Sequence, residues 1–220
     1  LTAKKQLWGW GYNGTYGLGL GTTTNKYGNN DNPEPTILFG GKVVKRVWTS
    51  MGHYTTAFLQ DENNEIWAAG HTTHGQTGTR KKGGWPTYRT SWTKVEGLNA
   101  DINNNIIDIH MTGGSRYGRY TSVYLHYRDN HGNGQLMVCG YNGYGQLALG
   151  HKSDVDQFTR IPWGPRNIKS VMCDDPEGDS HGTVFVIDGD DSLWFAGRNS
   201  YYYAEGNDTV HPIFTRVKGL

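Results

Sequence analysis

Cysteine and long apolar runs are both scarce in this sequence. Only Cys139 and Cys173 are present among 220 residues, which is too few for a disulfide framework. No apolar run approaches the about 18 residues that a membrane-spanning helix needs, so we expect no membrane insertion. The sequence has neither a signal-peptide pattern nor an initiator Met, and we expect it to be part of a longer protein or assembly.

An excess of charge of either sign is also absent. Lys and Arg number 21 against 20 for Asp and Glu, so the formal net charge is only +1. Proteins that bind nucleic acid or membrane surfaces carry a clustered basic excess. The composition therefore predicts that nucleic acid is not a partner.

Uninterrupted helical windows are missing as well. The 32 glycines and 7 prolines are scattered along the chain, which leaves few windows that could hold a long helix. The 14 tyrosines and 8 tryptophans and the β-branched residues favour strands. We therefore predict an all-β fold.

A short apolar segment that ends in glycine recurs four times. The closing glycines are Gly11, Gly70, Gly140 and Gly197, which lie 59, 70 and 57 residues apart. A glycine-rich loop follows the first three clearly, whereas the fourth loop is degenerate and carries three tyrosines. A fixed order of such segments is the signature of a repeat architecture.

Three further strand-like segments recur in phase with these glycines. One ends each unit, one opens it and one precedes the glycine segment, so a complete unit has four strands and predicts a four-stranded antiparallel blade. Asp61–Asn64 and Asp188–Asp191 then become hairpin turns, because Asp, Asn and Gly tolerate positive φ. The segments are Pro35–Leu38, Trp92–Val95, Phe158–Ile161 and Phe214–Val217; Val44–Val47, Ile106–Ile109 and Ile168–Val171; and Tyr54–Leu59, Tyr120–Leu125 and Gly182–Ile187.

This pattern resembles the RCC1-type β-propeller repeat, over nearly the whole chain. The best single match to its Asn-x-x-Gly-Gln-Leu-Gly loop is Tyr141 to Leu147, and His53 to Leu59 matches its final strand. The resemblance implies a propeller of about three and a half blades: a half-blade at 1–42 and blades at about 43–98, 99–163 and 164–220. Family propellers typically have seven blades, so we expect additional strands from the parent chain or a partner subunit.

Two local motifs suggest bound ligands, and we prefer a structural explanation for both. Gly140-x-x-Gly143-x-Gly145 is not a G-x-G-x-x-G motif, and no helix pattern follows it, so it lacks the context of a phosphate cradle. Asp174, Asp175, Glu177 and Asp179 crowd one loop and are weak candidates for a hard cation. We favour a solvated acidic loop and predict neither a metal nor a cofactor.

Two short patterns need structural context to be judged. His71 and His74 lack a third ligand at zinc spacing, so a zinc site is not predicted. Asn13-Gly-Thr15 and Asn207-Asp-Thr209 are formal glycosylation sequons, which matter only in a secreted eukaryotic protein.

The resemblance and the composition together favour a non-enzymatic recognition module. Tyr, Trp and Asn with weak net charge suit contacts to a protein or glycan receptor, and we favour a receptor-binding or adhesive module of a viral, phage tail fibre-like or other surface appendage. The expected location is then a virion or an extracellular surface. The alternative is a cytoplasmic protein-interaction propeller or a guanine-nucleotide exchange factor for a small GTPase.

One long loop insertion is the strongest candidate binding surface. It is the only stretch where basic and aromatic residues interleave densely, and Trp85 and Tyr88 have no counterpart in the other units. Its cations could pair with an acidic partner or stack on rings, although a solvated loop folded over its own aromatics explains it equally well. The candidate binding residues are Arg80, Lys81, Lys82, Trp85, Tyr88 and Arg89, together with Tyr201 and Tyr202 of the degenerate loop.

Overall fold

The described part of the chain is almost entirely β-structure. The computed structural model describes residues 1–22, 31–50, 52, 54–80, 87–112, 120–162, 164–173, 182–199 and 210–217, with the backbone alone at 31–33. It contains fourteen strands, one short helix α1 (Ala100–Asn104) and a 3₁₀ turn at Phe39–Gly41. Neither helical element of this described part has the length or apolarity to cross a membrane. The predicted all-β fold is confirmed.

The strands form one two-stranded sheet and three four-stranded antiparallel sheets. We call them the half-blade (β1–β2), blade 1 (β3–β6), blade 2 (β7–β10) and blade 3 (β11–β14). The strands are β1 Trp8–Tyr12, β2 Asp31–Ile37, β3 Val44–Thr49, β4 Thr56–Asp61, β5 Ile66–His71, β6 Tyr88–Lys94, β7 Ile106–Met111, β8 Ser122–Arg128, β9 Gly134–Gly140, β10 Val155–Arg160, β11 Ser170–Cys173, β12 Thr183–Ile187, β13 Leu193–Arg198 and β14 Val210–Arg216.

Each four-stranded sheet is a meander in which the strands pair in chain order. The first strands of neighbouring blades lie together: β7 contacts β11, and Arg46 of β3 donates to the carbonyls of Ile106 and Ile107 at 3.0 and 2.6 Å. The first strand of each blade is therefore the inner one. The ranges 1–42, 43–98, 99–163 and 164–220 stay predictions as domain boundaries, since the sheets mark only the strands within them.

The core lies between blades rather than within one sheet. Leu7 and Leu38 of the half-blade pack against Val44 and Leu59 of blade 1. Two further clusters join blade 1 to blade 2 and blade 2 to blade 3. Because a lone blade buries neither face, each unit depends on its neighbour for apolar burial.

The closing glycine of each complete blade is required by a close backbone approach. At Gly70, Gly140 and Gly197 φ lies between 99° and 108°, and an added Cβ would stand under 3.0 Å from a carbonyl oxygen just before the second strand. A side chain at these positions would meet both backbone strain and a steric clash.

A hydroxyl at the start of each second strand fixes the register beside that glycine. Thr56, Ser122 and Thr183 donate to the carbonyls of His71, Tyr141 and Arg198 at 2.9, 2.8 and 2.6 Å. Thr183 is thus equivalent to Thr56 and Ser122. The sequence alignment, which set Gly182 against Tyr54, was wrong by one residue, because the hydroxyl bond and not the apolar pattern defines the position.

The threonine of the outer strand has the same role in all four units. Thr36, Thr93, Thr159 and Thr215 each donate to the carbonyl two residues earlier, at 3.0 to 3.4 Å. In each outer strand the pairing register shifts just before this threonine. A local hydroxyl bond satisfies a carbonyl that a bulge removes from the ladder, which explains why the sequence repeats threonine there.

An aspartate closes the hairpin between the second and third strand of every blade. Both oxygens of Asp188 are used: Oδ1 accepts the Asp190 and Ser192 amides at 3.0 and 2.9 Å, and Oδ2 accepts the Trp194 indole at 2.8 Å. Asp61 and Asp129 repeat this pattern. The predicted hairpin turns are confirmed, including the positive φ of 64° at Asn64 and 61° at Asp191.

We expect the free energy of unfolding of the Asp188→Asn variant to fall less steeply in acid than that of the parent chain. Burial alone would raise the pKa of Asp188, but hydrogen bonds from Trp194, Ser192 and Asp190 lower it below its ordinary value of 3.8. A depressed folded pKa contributes stability that is present above the unfolded pKa and lost as the pH falls through the folded pKa. Urea unfolding between pH 7 and pH 2 should therefore show a shallower acid decline for the variant, and a stability lower by about 1–2 kcal/mol at pH 7.

The exposed Asp190 of the same turn supplies the matched control. Asp190→Asn keeps the backbone donors and changes a carboxylate that lies in solvent, so its acid profile should follow that of the parent chain. Equal acid profiles for Asp188→Asn and the parent chain would contradict the role given to Asp188.

Candidate functional site

The three glycine-rich loops share one backbone conformation. Each follows a strand that ends with a closing glycine, namely β1, β5 or β9. Each turns through three left-handed residues at equivalent positions. Each loop keeps glycine at two of the three positions and carries a side chain at a different one. The left-handed residues are Tyr16, Gly19 and Gly21, then Gly75, Gly78 and Arg80, and then Gly145, Ala148 and Gly150, with φ between 51° and 81°.

Several backbone amides of these loops donate to acceptors within the loop. Asn13 Oδ1 accepts the Leu18 amide at 3.0 Å, and Asn142 Oδ1 accepts the Leu147 amide at 2.9 Å. The Gly145 and Ala148 amides donate to carbonyls of the same loop, which leaves them unavailable to a phosphate. The structural interpretation of the glycine-rich loop is confirmed. Asn13 is buried and its amide donates to Thr22, so that sequon serves the turn.

Each loop also reaches the outer strand of the next blade. The amides of Gly21, Arg80 and Gly150 donate to Thr90, Asp156 and Pro212 at 2.7, 3.1 and 2.8 Å. Gly19 lies against Trp92 and Gly78 against Phe158, so these two outer-strand rings pack against the neighbouring loops. Each loop is therefore bound both to its own unit and to the next blade.

Arg89 fixes Thr79 and Arg80, the first residues of the long loop insertion. Its guanidinium donates to the Thr79 hydroxyl, to the Thr79 carbonyl at 3.1 Å and to the Arg80 carbonyl. Arg80 itself is exposed, with φ of 51° where the other loops have glycine. Arg89 thus positions Thr79 and Arg80, and the Arg80 side chain is left exposed.

Tyr88 belongs to a ring cluster at the junction of the half-blade and blade 1. Its ring lies 5.6 Å from that of His71 and 5.4 Å from that of Tyr16. Strand pairing shows that Tyr88 in blade 1 and Val210 in blade 3 occupy equivalent positions, each opposite the residue after a closing glycine. The prediction that Tyr88 has no counterpart in the other units was therefore wrong. The outer-strand bulge hid this relation in the sequence.

Several predicted site residues fall outside the described part of the chain. These are the loop residues Lys81, Lys82 and Trp85, the tyrosines Tyr201 and Tyr202, and the acidic residues Asp174, Asp175, Glu177 and Asp179. Their assignments stay predictions. Among the residues that the structure does describe, no three metal-ligating side chains converge, and the two ring nitrogens of His71 bond to Gln76 and Thr73.

A second ring cluster at the junction of blades 1 and 2 was missed in the sequence. His74 lies 5.1 Å from the rings of both Tyr120 and Tyr141, which are 4.8 Å apart. Arg198 of blade 3 stands 5.4 Å above Tyr144, a cation–π contact. One sequence signal could have pointed to this region: a ring or a cation follows every closing glycine. These residues are Tyr12, His71, Tyr141 and Arg198.

The Asp154 carboxylate contacts this ring cluster, and burial raises the pKa of one of its tyrosines. His74 Nδ1 lies 2.6 Å from Asp154 Oδ2, and Asp154 Oδ1 accepts the Asn142 amide. Burial, followed by the effects of Tyr144, Asp154 and Tyr120, raises the pKa of Tyr141 to about 12. A tyrosine that stays protonated offers a ring face and a hydroxyl donor for recognition.

Comparison with known proteins identifies the architecture. No protein-family model matches the sequence. Three solved structures cover nearly all of the chain: Kap60 bound to yeast RCC1 (Prp20), at 16% identity, TM-score 0.68 and 96% coverage; human WBSCR16, at 15%, 0.67 and 95%; and Prp20p from Saccharomyces cerevisiae, at 17%, 0.70 and 97%.

The match extends over less than half of each of these proteins. The chain spans 44%, 48% and 46% of the respective matched chains. The described part of this chain forms three four-stranded antiparallel sheets and one two-stranded sheet. This chain therefore has the fold of the RCC1-type β-propeller.

Proposed function

We propose that this chain is a protein-interaction propeller, which presents loops on a rigid frame to a protein partner. The observation that carries the proposal is the double anchoring of each glycine-rich loop to two blades. Side chains on such loops are held in place before binding, which reduces the entropy lost on association.

The solved structures favour this role over the receptor-binding one. One of them is Kap60 bound to yeast RCC1, and another is Prp20p, which was studied together with its binding to Gsp1p and histones. They lend no support to a viral, tail fibre-like or glycan-binding role. The alternative stated from the sequence, a protein-interaction propeller, is thus the better supported one.

The long loop after β5 is the surface we propose for the partner. Arg89 uses its guanidinium to hold Thr79 and Arg80, which leaves Arg80 exposed beside the sequence neighbours Lys81 and Lys82. Three consecutive cations with a nearby tryptophan, Trp85, suit an acidic protein surface, because exposed cations attract carboxylates and rings add apolar contact area.

Charge reversal of Lys81 and Lys82 tests this surface. We expect a fluorescein-labelled peptide of alternating glutamate and serine to bind the chain, with an affinity that falls as salt is added. Lys81→Glu/Lys82→Glu should weaken binding by about tenfold, since each lost surface pair removes up to about 1 kcal/mol. Fluorescence anisotropy measures both.

The control places the same charge change elsewhere. Lys4→Glu/Lys5→Glu alters two exposed lysines near the N-terminus and should bind the peptide like the parent chain. Arg89 is unsuitable as a probe, because its removal would release Thr79 and Arg80. Equal binding by the two double variants would overturn the proposed surface.

A further inference from the structure

A cleft of about 950 Å³ lies at the junction of blades 2 and 3, beside the linker that joins β10 to β11. Its walls come from that linker, from the start of β9 and from the outer strand β14 of blade 3. None of its described lining residues belongs to a glycine-rich loop or to the long loop after β5. Pockets that hold small molecules in proteins have volumes of about 300–1,000 Å³, so this cleft has the size of a ligand site.

The charge of this cleft is positive. Arg160 and Arg166 line it and are exposed, and its described lining residues include no Asp or Glu. In the described part of the chain, neither guanidinium has a hydrogen-bonding or ion-pair partner. A guanidinium binds carboxylate or phosphate oxygens in pairs, so the two arginines favour an anionic ligand.

Apolar side chains form the inner wall of the cleft. Leu136, Ile168 and Phe214 line it and belong to the core cluster between blades 2 and 3. Ile161 of the linker also lines the cleft and packs against this cluster. Carbon atoms of a ligand that enters the cleft are therefore removed from water, which favours an anion with an apolar body over a bare inorganic ion.

The linker at the preceding junction has a different structure. Between blades 1 and 2 the linker forms α1, and Ile102 of this helix packs against the core cluster between those blades. The described residues of the linker between blades 2 and 3 (161, 162 and 164–169) contain no helix, and Pro162 and Pro165 disfavour one. This linker therefore supplies no helix to cover the cleft.

We propose that this cleft binds a small organic anion, with a carboxylate or phosphate group at Arg160 and Arg166 and an apolar body against Leu136, Ile168 and Phe214. The cleft shares no described residue with the basic loop after β5. Ligand binding here is therefore a property separate from the proposed binding of a protein partner, and either can fail without the other.

Phenyl phosphate and benzoate are the probes, because each joins one anionic group to a flat apolar ring. Titration followed by the NMR signals of labelled methyl groups should shift the methyl signals of Leu136, Ile161 and Ile168 and give an affinity. Inorganic phosphate, which has no apolar body, should bind at least about fivefold more weakly than phenyl phosphate. Tighter binding of phenyl phosphate assigns a phosphate ligand, and tighter binding of benzoate assigns a carboxylate.

Arg166→Gln should weaken binding of the better probe by about fivefold, the effect of one lost surface ion pair. Arg160 also borders a smaller cleft that contains Asp101 and Asp129, so Arg166 is the cleaner position to change. Lys152→Gln is the control, since it removes an equal charge from an exposed residue outside the cleft and should bind the probe like the parent chain.

Four results would each overturn the proposal. The first is that neither probe binds, and the second is that inorganic phosphate binds as tightly as phenyl phosphate. The third is an equal affinity of Arg166→Gln and the parent chain. The fourth is an equal loss of affinity for Arg166→Gln and Lys152→Gln, which would mean that the probe responds only to the net charge of the protein.

Discussion

Gly140→Ala is expected to lower the free energy of unfolding by about 3 kcal/mol or more. A left-handed backbone costs an alanine about 1–2 kcal/mol, and Gly140 has φ of 102°. Its new Cβ would also stand under 3.0 Å from the Thr121 carbonyl oxygen, and forcing a buried backbone apart costs a further 1–3 kcal/mol, roughly. Urea unfolding followed by tryptophan fluorescence measures the difference.

Gly11→Ala separates the two causes. Gly11 has nearly the same φ, 99°, but no described atom within 4 Å of its Cβ position. This variant should lose only the backbone contribution, about 1–2 kcal/mol. Equal losses at Gly11 and Gly140 would contradict the carbonyl clash as the reason for glycine in the complete blades.

Cys139→Trp is expected to be the most damaging exchange between equivalent positions of the repeat. Cys139, Ala69 and Ala196 occupy one position in blades 2, 1 and 3, and all three are 0% exposed. At the same position of the half-blade stands Trp10, which is 62% exposed. An indole placed between blades 1 and 2 has no room, so we expect a loss of at least about 3 kcal/mol or a failure to fold.

Removal of the indole at the equivalent position of the half-blade, Trp10, is the control. Because its side chain is mostly in solvent, Trp10→Ala should alter the free energy of unfolding by no more than about 0.5 kcal/mol. A small effect here with a large one at Cys139 would show that the half-blade face does not pack like the other blade interfaces. A loss above about 2 kcal/mol for Trp10→Ala would mean that the indole is buried in solution.

The exposed face of β1 carries a row of aromatic side chains. Trp8, Trp10 and Tyr12 alternate along β1 and all point away from blade 1, with Ile37 of β2 on the same face. This exposure is the reason that we expect Trp10→Ala to have a small effect on stability.

The order of the strands could be predicted from the sequence because the residues that repeat stabilise turns and bulges close to them along the chain. The closing glycines permit a positive φ, the outer-strand threonines satisfy a carbonyl two residues away, and the hairpin aspartates accept amides of their own turn. Each task depends on a few neighbours along the chain, so its residue type recurs at a fixed place in the unit.

The candidate site followed the sequence only in part. The loop after β5 stood out because cations and rings cluster there in the sequence, yet Arg89 donates three hydrogen bonds to Thr79 and Arg80 at the start of that loop. The strand bulges shift the register of the outer strands, so the equivalence of Tyr88 and Val210 was hidden from a comparison by apolar pattern.

The all-β repeat and its turns could be predicted from the sequence, whereas the contacts at the blade junctions could be found only in the folded structure. His74 and Asp154 are 80 residues apart and meet at 2.6 Å, and Trp10 is exposed where its equivalents are buried. Contacts between blades depend on how two sheets approach each other, and no local residue preference encodes that approach.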